Sequence, residues 1–234
     1  MKKTCCALIA ILLIASTSFA EPQDKKKIEG RLQNAGQVMS EVLKMSDNIP
    51  QDLLNKAKCV VVIPSVLKAA FVVGGSYGRG AMVCRTGEDF TGSWGAPSMV
   101  VLEGGSIGLQ LGAGATDFVF LIMNKRGATS LLNSKVKLGG DVAVAAGPVG
   151  REVEADTDAY MRAEILTYSR SRGLFAGVSV AGSTLHADNE ANEALYGRKI
   201  SVREIVLGPA PETPEAAEQL IALLEKASPH TVKA

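Results

Sequence analysis

The chain has 234 residues, of which 47% are hydrophobic and 5% aromatic, with 25 lysines and arginines against 24 acids. A formal net charge of +1 leaves no cationic surplus to neutralise a phosphate backbone, so nucleic acid is not an expected partner. The length suits one domain with a sizeable core.

In chain order, Lys2 and Lys3 come first, then an unbroken apolar run from Ala7 to Ala15, then small residues at Ser18 and Ala20. This is the layout of a secretory signal peptide over residues 1–20, with an apolar run too short for a permanent membrane span. It predicts cleavage after Ala20 and a periplasmic or secreted protein; losing two lysines and no acid takes the charge to −1. Residues 21–27 read as a polar basic leader, 28–208 as a single domain, and 209–234 as a proline-rich connection with a C-terminal helix.

Ile28, Leu32, Ala35, Met39, Val42 and Ile49 recur at helical spacing and form one apolar stripe, although Gly30 and Gly36 lower the intrinsic propensity. Pro50 can open a short helix from Gln51 to Ala57. Cys59 to Ile63 is a β-branched run closed by Pro64, and Ser65 to Lys68 reads as one helical turn. Strand-like runs follow at Ala70–Val73, Gly80–Arg85, Ser98–Leu102, Ser106–Gly112 and Asp117–Met123. After a helical stretch at Asn124–Asn133, further strands are expected at Val136–Ala145, Ala163–Ser169, Leu174–Ala181 and Thr184–His186. Asp188 can cap a short helix that Gly197 ends, and Thr213 with Pro214 can start a last helix to Ala227. Close-set strands without regular intervening helices predict an α+β fold. Its sheet is mainly antiparallel, sandwich- or barrel-like, with amphipathic helices at both chain ends.

Cys59 and Cys84 follow the signal peptide as an even pair, which in an oxidising compartment predicts one disulfide; two buried thiols are the alternative.

Catalytic chemistry is thinly supplied. Gly74-Gly-Ser-Tyr-Gly78 and Gly104-Gly-Ser-Ile-Gly108 both match G-x-S-x-G, but neither serine precedes a helix as a nucleophile elbow requires. A triad would have to combine Ser76 or Ser106 with His186 and an acid such as Asp117 or Asp141; a serine hydrolase therefore ranks third among the functions weighed. No metal-ligand spacing, P-loop or dinucleotide fingerprint is present, so no catalytic residue, metal or cofactor is expected. The feature with physical promise is Lys25-Lys-Lys27 running into the apolar stripe. A cationic cluster beside an apolar helical face suits an anionic bilayer, with the lysines attracted and Ile28, Leu32 and Val42 inserted. Arg170 and Arg172, with Lys68 and Arg79, are candidates for a second basic contact. The same stripe, at near-heptad spacing, could instead pack against another copy in a self-assembling envelope protein.

Several blocks in order carry a resemblance. Ala57-Lys-Cys-Val-Val-Val-Ile-Pro64, Lys68 to Gly80, Trp94-Gly-Ala-Pro97, Gly104 to Gln110, Thr116-Asp117, Ala145 to Arg151 and Tyr168 to Gly177 together resemble the SYLF family, its exported bacterial branch in particular. The resemblance runs from about Ile28 to Gly197. It implies a lipid-binding domain, in eukaryotic members a phosphoinositide binder linked to membrane remodelling and actin, with a basic amphipathic N-terminal helix implicated in membrane contact. That helix maps onto Lys25 to Val42. For an exported chain, ordinary anionic phospholipids replace phosphoinositides as the expected ligand, and actin is not expected as a partner.

Overall fold

The computed structural model describes residues 21–70, 73–107, 114–133, 135–150, 163–171, 174–209 and 211–230. The signal peptide expected over residues 1–20 lies outside them. Helix α1 spans Glu21–Lys44 and α2 Gln51–Lys56. Four long strands follow: β1 (Cys59–Ala70), β2 (Val73–Cys84), β3 (Ser98–Ile107) and β4 (Gly114–Ile122). Then come α3 (Lys125–Asn133), β5 (Val136–Lys137), β6 (Val144–Ala146), β7 (Ile165–Ser171), β8 (Leu174–Gly177) and β9 (Ser183–Ala187). The chain closes with α4 (Asn189–Tyr196), α5 (Val202–Leu207), a 3-10 turn at Glu215–Ala217 and α6 (Glu218–Ala227).

The strands form one curled half-barrel sheet in the order β5-β9-β3-β2-β1-β4-β7-β6, with β8 on β7. Every pairing is antiparallel except β6 with β7. The expected α+β class and mainly antiparallel sheet hold. Alternation along the strands divides the core in two. Val60, Val62, Ala81, Val83, Val119, Leu121, Leu166 and Tyr168 face α1, α4 and α6. Val61, Ile63, Met82, Phe118, Phe120 and Ile165 face α3 and α5. Two-sided burial is why the β1 sequence reads as a continuous β-branched run rather than an alternating one.

Several expectations change, among them the strand Val136–Ala145, which is the two short strands β5 and β6. The helix begins at Glu21 and takes in the stretch read as a leader. Ser65 to Lys68 is not a helical turn: β1 runs through it with a bulge, between Val62 and Leu67 on the β2 side and between Ile63 and Val66 on the β4 side. Pro64 sits in that bulge, where a missing N–H costs no ladder bond, and Ser65 takes φ 51°. Gly80 lets the bulge close, because a Cβ there would lie 2.1 Å from Val62 O. Ser98 to Ile107 is one strand rather than parts of two. Finally, Thr213 caps nothing; a 3-10 turn after Pro214 leads into α6. The helix α5, not foreseen, starts at Ser201, whose hydroxyl accepts from Glu204 N at 3.1 Å.

Cys59 and Cys84 are direct partners on β1 and β2 and form the expected disulfide, S–S 2.07 Å. Closing a loop of sequence separation 25, it is expected to stabilise by about 3 kcal/mol in the chain-entropy picture. Urea unfolding of Cys59→Ala/Cys84→Ala against the oxidised protein measures this; equal midpoints would refute it.

Candidate lipid-contact surface

Helix α1 carries both halves of the membrane reading, and the structure separates them. Ile28, Leu32, Ala35, Val38, Met39 and Val42 are all buried, the most accessible at 5%. They pack against α6, α4, β1 and β2. Gly36 sits in the crossing with α6, where an added Cβ would come within 3.3 Å of Gln219. Ile28, Leu32 and Val42, expected to insert into a bilayer, are core residues in this conformation, because the helix has a sheet face of its own to cover. The same docking withdraws the stripe from a second copy of the chain. Lys25, Lys26 and Lys27 are exposed on the first turns, with Lys27 3.6 Å from Asp24.

Of the second basic group, the two side chains that are described, Arg170 and Arg79, are each engaged within the protein. Arg170, on β7 opposite Asp117 of β4, donates to Asp117 Oδ2 from Nε (2.9 Å) and Nη2 (2.7 Å) and pairs with Glu41 of α1. Asp117 also accepts from Ser65 N at 2.8 Å, the backbone of the β1 bulge. Arg170 thus ties β7, β4, the bulge and α1 together and is not free for a headgroup. Arg79 on β2 donates from Nε to Tyr77 Oη at 2.7 Å, lies 3.4 Å from Asp188 and rests over the Tyr77 ring. Lys68 lies on β1, and Arg172 is outside the described residues.

The hydrolase reading loses its geometry. Ser76 and Ser106 both lie within strands, and the two glycine-rich segments pair with each other, Gly74 opposite Ser106 and Ser76 opposite Gly104. His186 on β9 stands opposite Val101, its Nδ1 2.9 Å from Ala187 O and its Nε2 3.6 Å from Glu103. Among the described residues no cluster of His, Cys, Asp and Glu could hold a metal ion, and no helix is long and apolar enough to cross a membrane.

A basic groove that the strand-by-strand reading missed lies where β1 begins and β2 ends, lined by Lys56, Lys58, Arg85 and His230 among others. Arg85 is buried and donates to four oxygens: Ala57 O (3.3 Å), Gly92 O (3.2 Å), Ser228 O (3.0 Å) and Ser228 Oγ (2.6 Å). It lies 4.3 Å over the ring of Trp94, whose Nε1 donates to Ser228 O at 3.0 Å. Burial lowers the Arg85 pKa, and Glu225 opposes that shift. The signal was in the sequence: Lys56, Lys58 and Arg85 flank the two cysteines, and a disulfide must bring them to one end of the sheet.

Comparison with known proteins follows this architecture. A family model described as "Ysc84: Las17-binding protein actin regulator" matches residues 103–227. The chain belongs to the Ysc84 family. This is the SYLF resemblance under its other name. The chain is similar to Protein YSC84 of Saccharomyces cerevisiae, 38% identical over 180 residues that cover 76% of this chain and 37% of that protein. It is also similar to an SH3 domain-containing protein of Schizosaccharomyces pombe (34% over 206 residues, 84% and 47%). A human relative is SH3 domain-containing YSC84-like protein 1 (35% over 178 residues, 76% and 51%). The chain thus spans about half or less of the length of these relatives. These names describe binding and regulatory proteins rather than enzymes. One expectation is overturned: actin had been set aside, yet the matching family is described as an actin regulator, and a further yeast relative is named LAS seventeen-binding protein 3.

Arg170→Ala removes the charge that Asp117 and Glu41 share, and is expected to cost about 2 kcal/mol in denaturant unfolding. Lys26→Ala, on the exposed turn, should change stability by less than about 0.5 kcal/mol. Equal stability of the two variants would contradict the tie assigned to Arg170.

Proposed function

We propose that the protein is a non-enzymatic phospholipid-binding protein of the cell envelope, meeting anionic membranes through Lys25, Lys26 and Lys27 at the start of α1. The observation that supports this is the exposure of all three lysines on a helix whose other face is fixed in the core. A docked helix adsorbs rather than inserts. Each lysine close to an anionic surface contributes about 1 kcal/mol, so the three together give weak, reversible attachment that salt screens. Export to the periplasm or beyond belongs to the same proposal and rests on the signal-like residues 1–20.

A second reading follows from the relatives' names. As members of a family described as Las17-binding actin regulators, they support a role for this domain in binding a protein of actin-regulating machinery.

Vesicle flotation at low and high salt tests the first reading. The protein should float with phosphatidylglycerol vesicles at low salt, release at high salt, and ignore phosphatidylcholine. Lys25→Glu/Lys26→Glu/Lys27→Glu should lose more than about tenfold in partitioning. Salt-independent flotation, or an unaffected triple variant, would contradict surface adsorption by α1. Co-sedimentation with filamentous actin, with no vesicle binding, would favour the second reading.

A further inference from the structure

The basic groove at the β1–β2 end has a volume of about 880 Å³, and among the described residues none that lines it is acidic. Its floor is held by the sheet. Lys58 N donates to Ile122 O at 2.7 Å, Arg85 N donates to Lys58 O at 2.8 Å, and the next residues along, Cys59 and Cys84, are joined by the disulfide. Lys58 and Arg85 therefore stay side by side without any ligand to organise them. Lys56 comes from the last turn of α2, one residue before Ala57, whose carbonyl accepts from Arg85.

The charges in this groove differ in how they are satisfied. The Arg85 guanidinium uses four of its five N–H groups, all toward carbonyls and a hydroxyl, so among the described residues its positive charge is held without a directly bonded acid. Glu225, the acid acting on it, accepts from the main-chain N–H groups of Trp94 (3.4 Å) and His230 (3.2 Å). Asp89, next in sequence to the lining residue Phe90, is held by Lys125 at 2.8 Å and is acted on more weakly by the Lys58 charge. Lys56 is exposed and Lys58 half-buried, and neither ammonium enters an ion pair among the described residues. Two ammonium groups outside any ion pair, beside a buried guanidinium with no acid bonded to it, suit a dianion better than a single carboxylate.

We infer that this groove is a phosphomonoester-binding site, separate from the α1 lysines, in which Lys56 and Lys58 contact the phosphate oxygens and Arg85 supplies a fixed positive field. The inference does not depend on adsorption through α1. A lipid headgroup and a small soluble organic phosphate both carry this chemistry.

The experiment uses the purified protein with two probes. Glycerol 3-phosphate is titrated while amide chemical shifts are followed, and phosphatidic acid vesicles are compared with phosphatidylglycerol vesicles by flotation. The expected result is that glycerol 3-phosphate shifts the amides of Lys56, Lys58 and Arg85, or that phosphatidic acid is preferred over phosphatidylglycerol. In either case Lys56→Gln/Lys58→Gln should weaken the effect by about tenfold, the scale of one charge-assisted hydrogen bond. A response to the soluble probe assigns the site to free phosphates; a preference seen only with vesicles assigns it to a headgroup. The triple glutamate variant of α1 should leave the glycerol 3-phosphate titration unchanged, which keeps failure here distinct from failure of the α1 reading. The inference is overturned if neither probe responds, or if the Lys56/Lys58 variant responds as the parent does.

Discussion

Ile28, Leu32, Ala35, Val38, Met39 and Val42 of α1 lie against Val60, Val62, Ala81 and Val83 of the two central strands, with Leu220 and Leu224 of α6 alongside. Both sides of that contact are apolar, so neither can be left in water cheaply. Six such side chains represent on the order of 10 kcal/mol of burial, an upper bound because the unfolded chain already hides part of this surface. Moving α1 into a bilayer would bury its own stripe again but would expose the sheet face and α6. Attraction of three lysines to an anionic surface, on the order of 3 kcal/mol, does not offset that exposure. The docked helix therefore sets the terms of any membrane contact: it leaves charge, not apolar surface, to do the binding.

The residues that carry the family resemblance have structural work to do. Pro64 and Ser65 form the β1 bulge, Gly80 makes room for it, and Asp117 caps its exposed N–H while holding Arg170. Gly147 lies under the ring of Tyr168, where a Cβ would come within 2.1 Å of the ring carbon, and Tyr168 stacks on Phe175 at 5.3 Å. Trp94 seats Arg85 and the end of α6. A signature of this kind identifies a fold and says little about a ligand. That is why several motif residues look like candidate sites in the sequence and turn out to be joints in the structure.

What could be read from the sequence follows the same division. The stripe of α1, the β-branched run of β1, the Asp188 cap with Gly197 in the left-handed region, and the Cys59–Cys84 pairing depend on local spacing or on compartment, and all appear. The bulge did not, because a proline in a central strand is tolerated only when both neighbouring ladders shift, a fact about partners rather than about the run itself. The helix at Val202–Leu207 starts at Ser201-x-x-Glu204, a capping signal present in the sequence. The pairing of Arg170 is hidden in the sequence for a related reason. An arginine near a strand turn looks solvated until the register places it opposite an aspartate 53 residues away. Lysines 25 to 27, which the spacing places in a leader ahead of the helix, are exposed on its first turns.

The measurement closest to the centre of this account is hydrogen–deuterium exchange across α1, in solution and on phosphatidylglycerol vesicles. If the helix is a fixed core element, the amides from Leu32 to Val42 will be as protected in solution as those of β1 and will stay protected, with no new exposure in β1, β2 or α6, when the protein adsorbs. Rapid exchange of α1 in solution, or deprotection of the sheet face on binding, would mean that the helix leaves its seat, and the docked-helix account would be wrong.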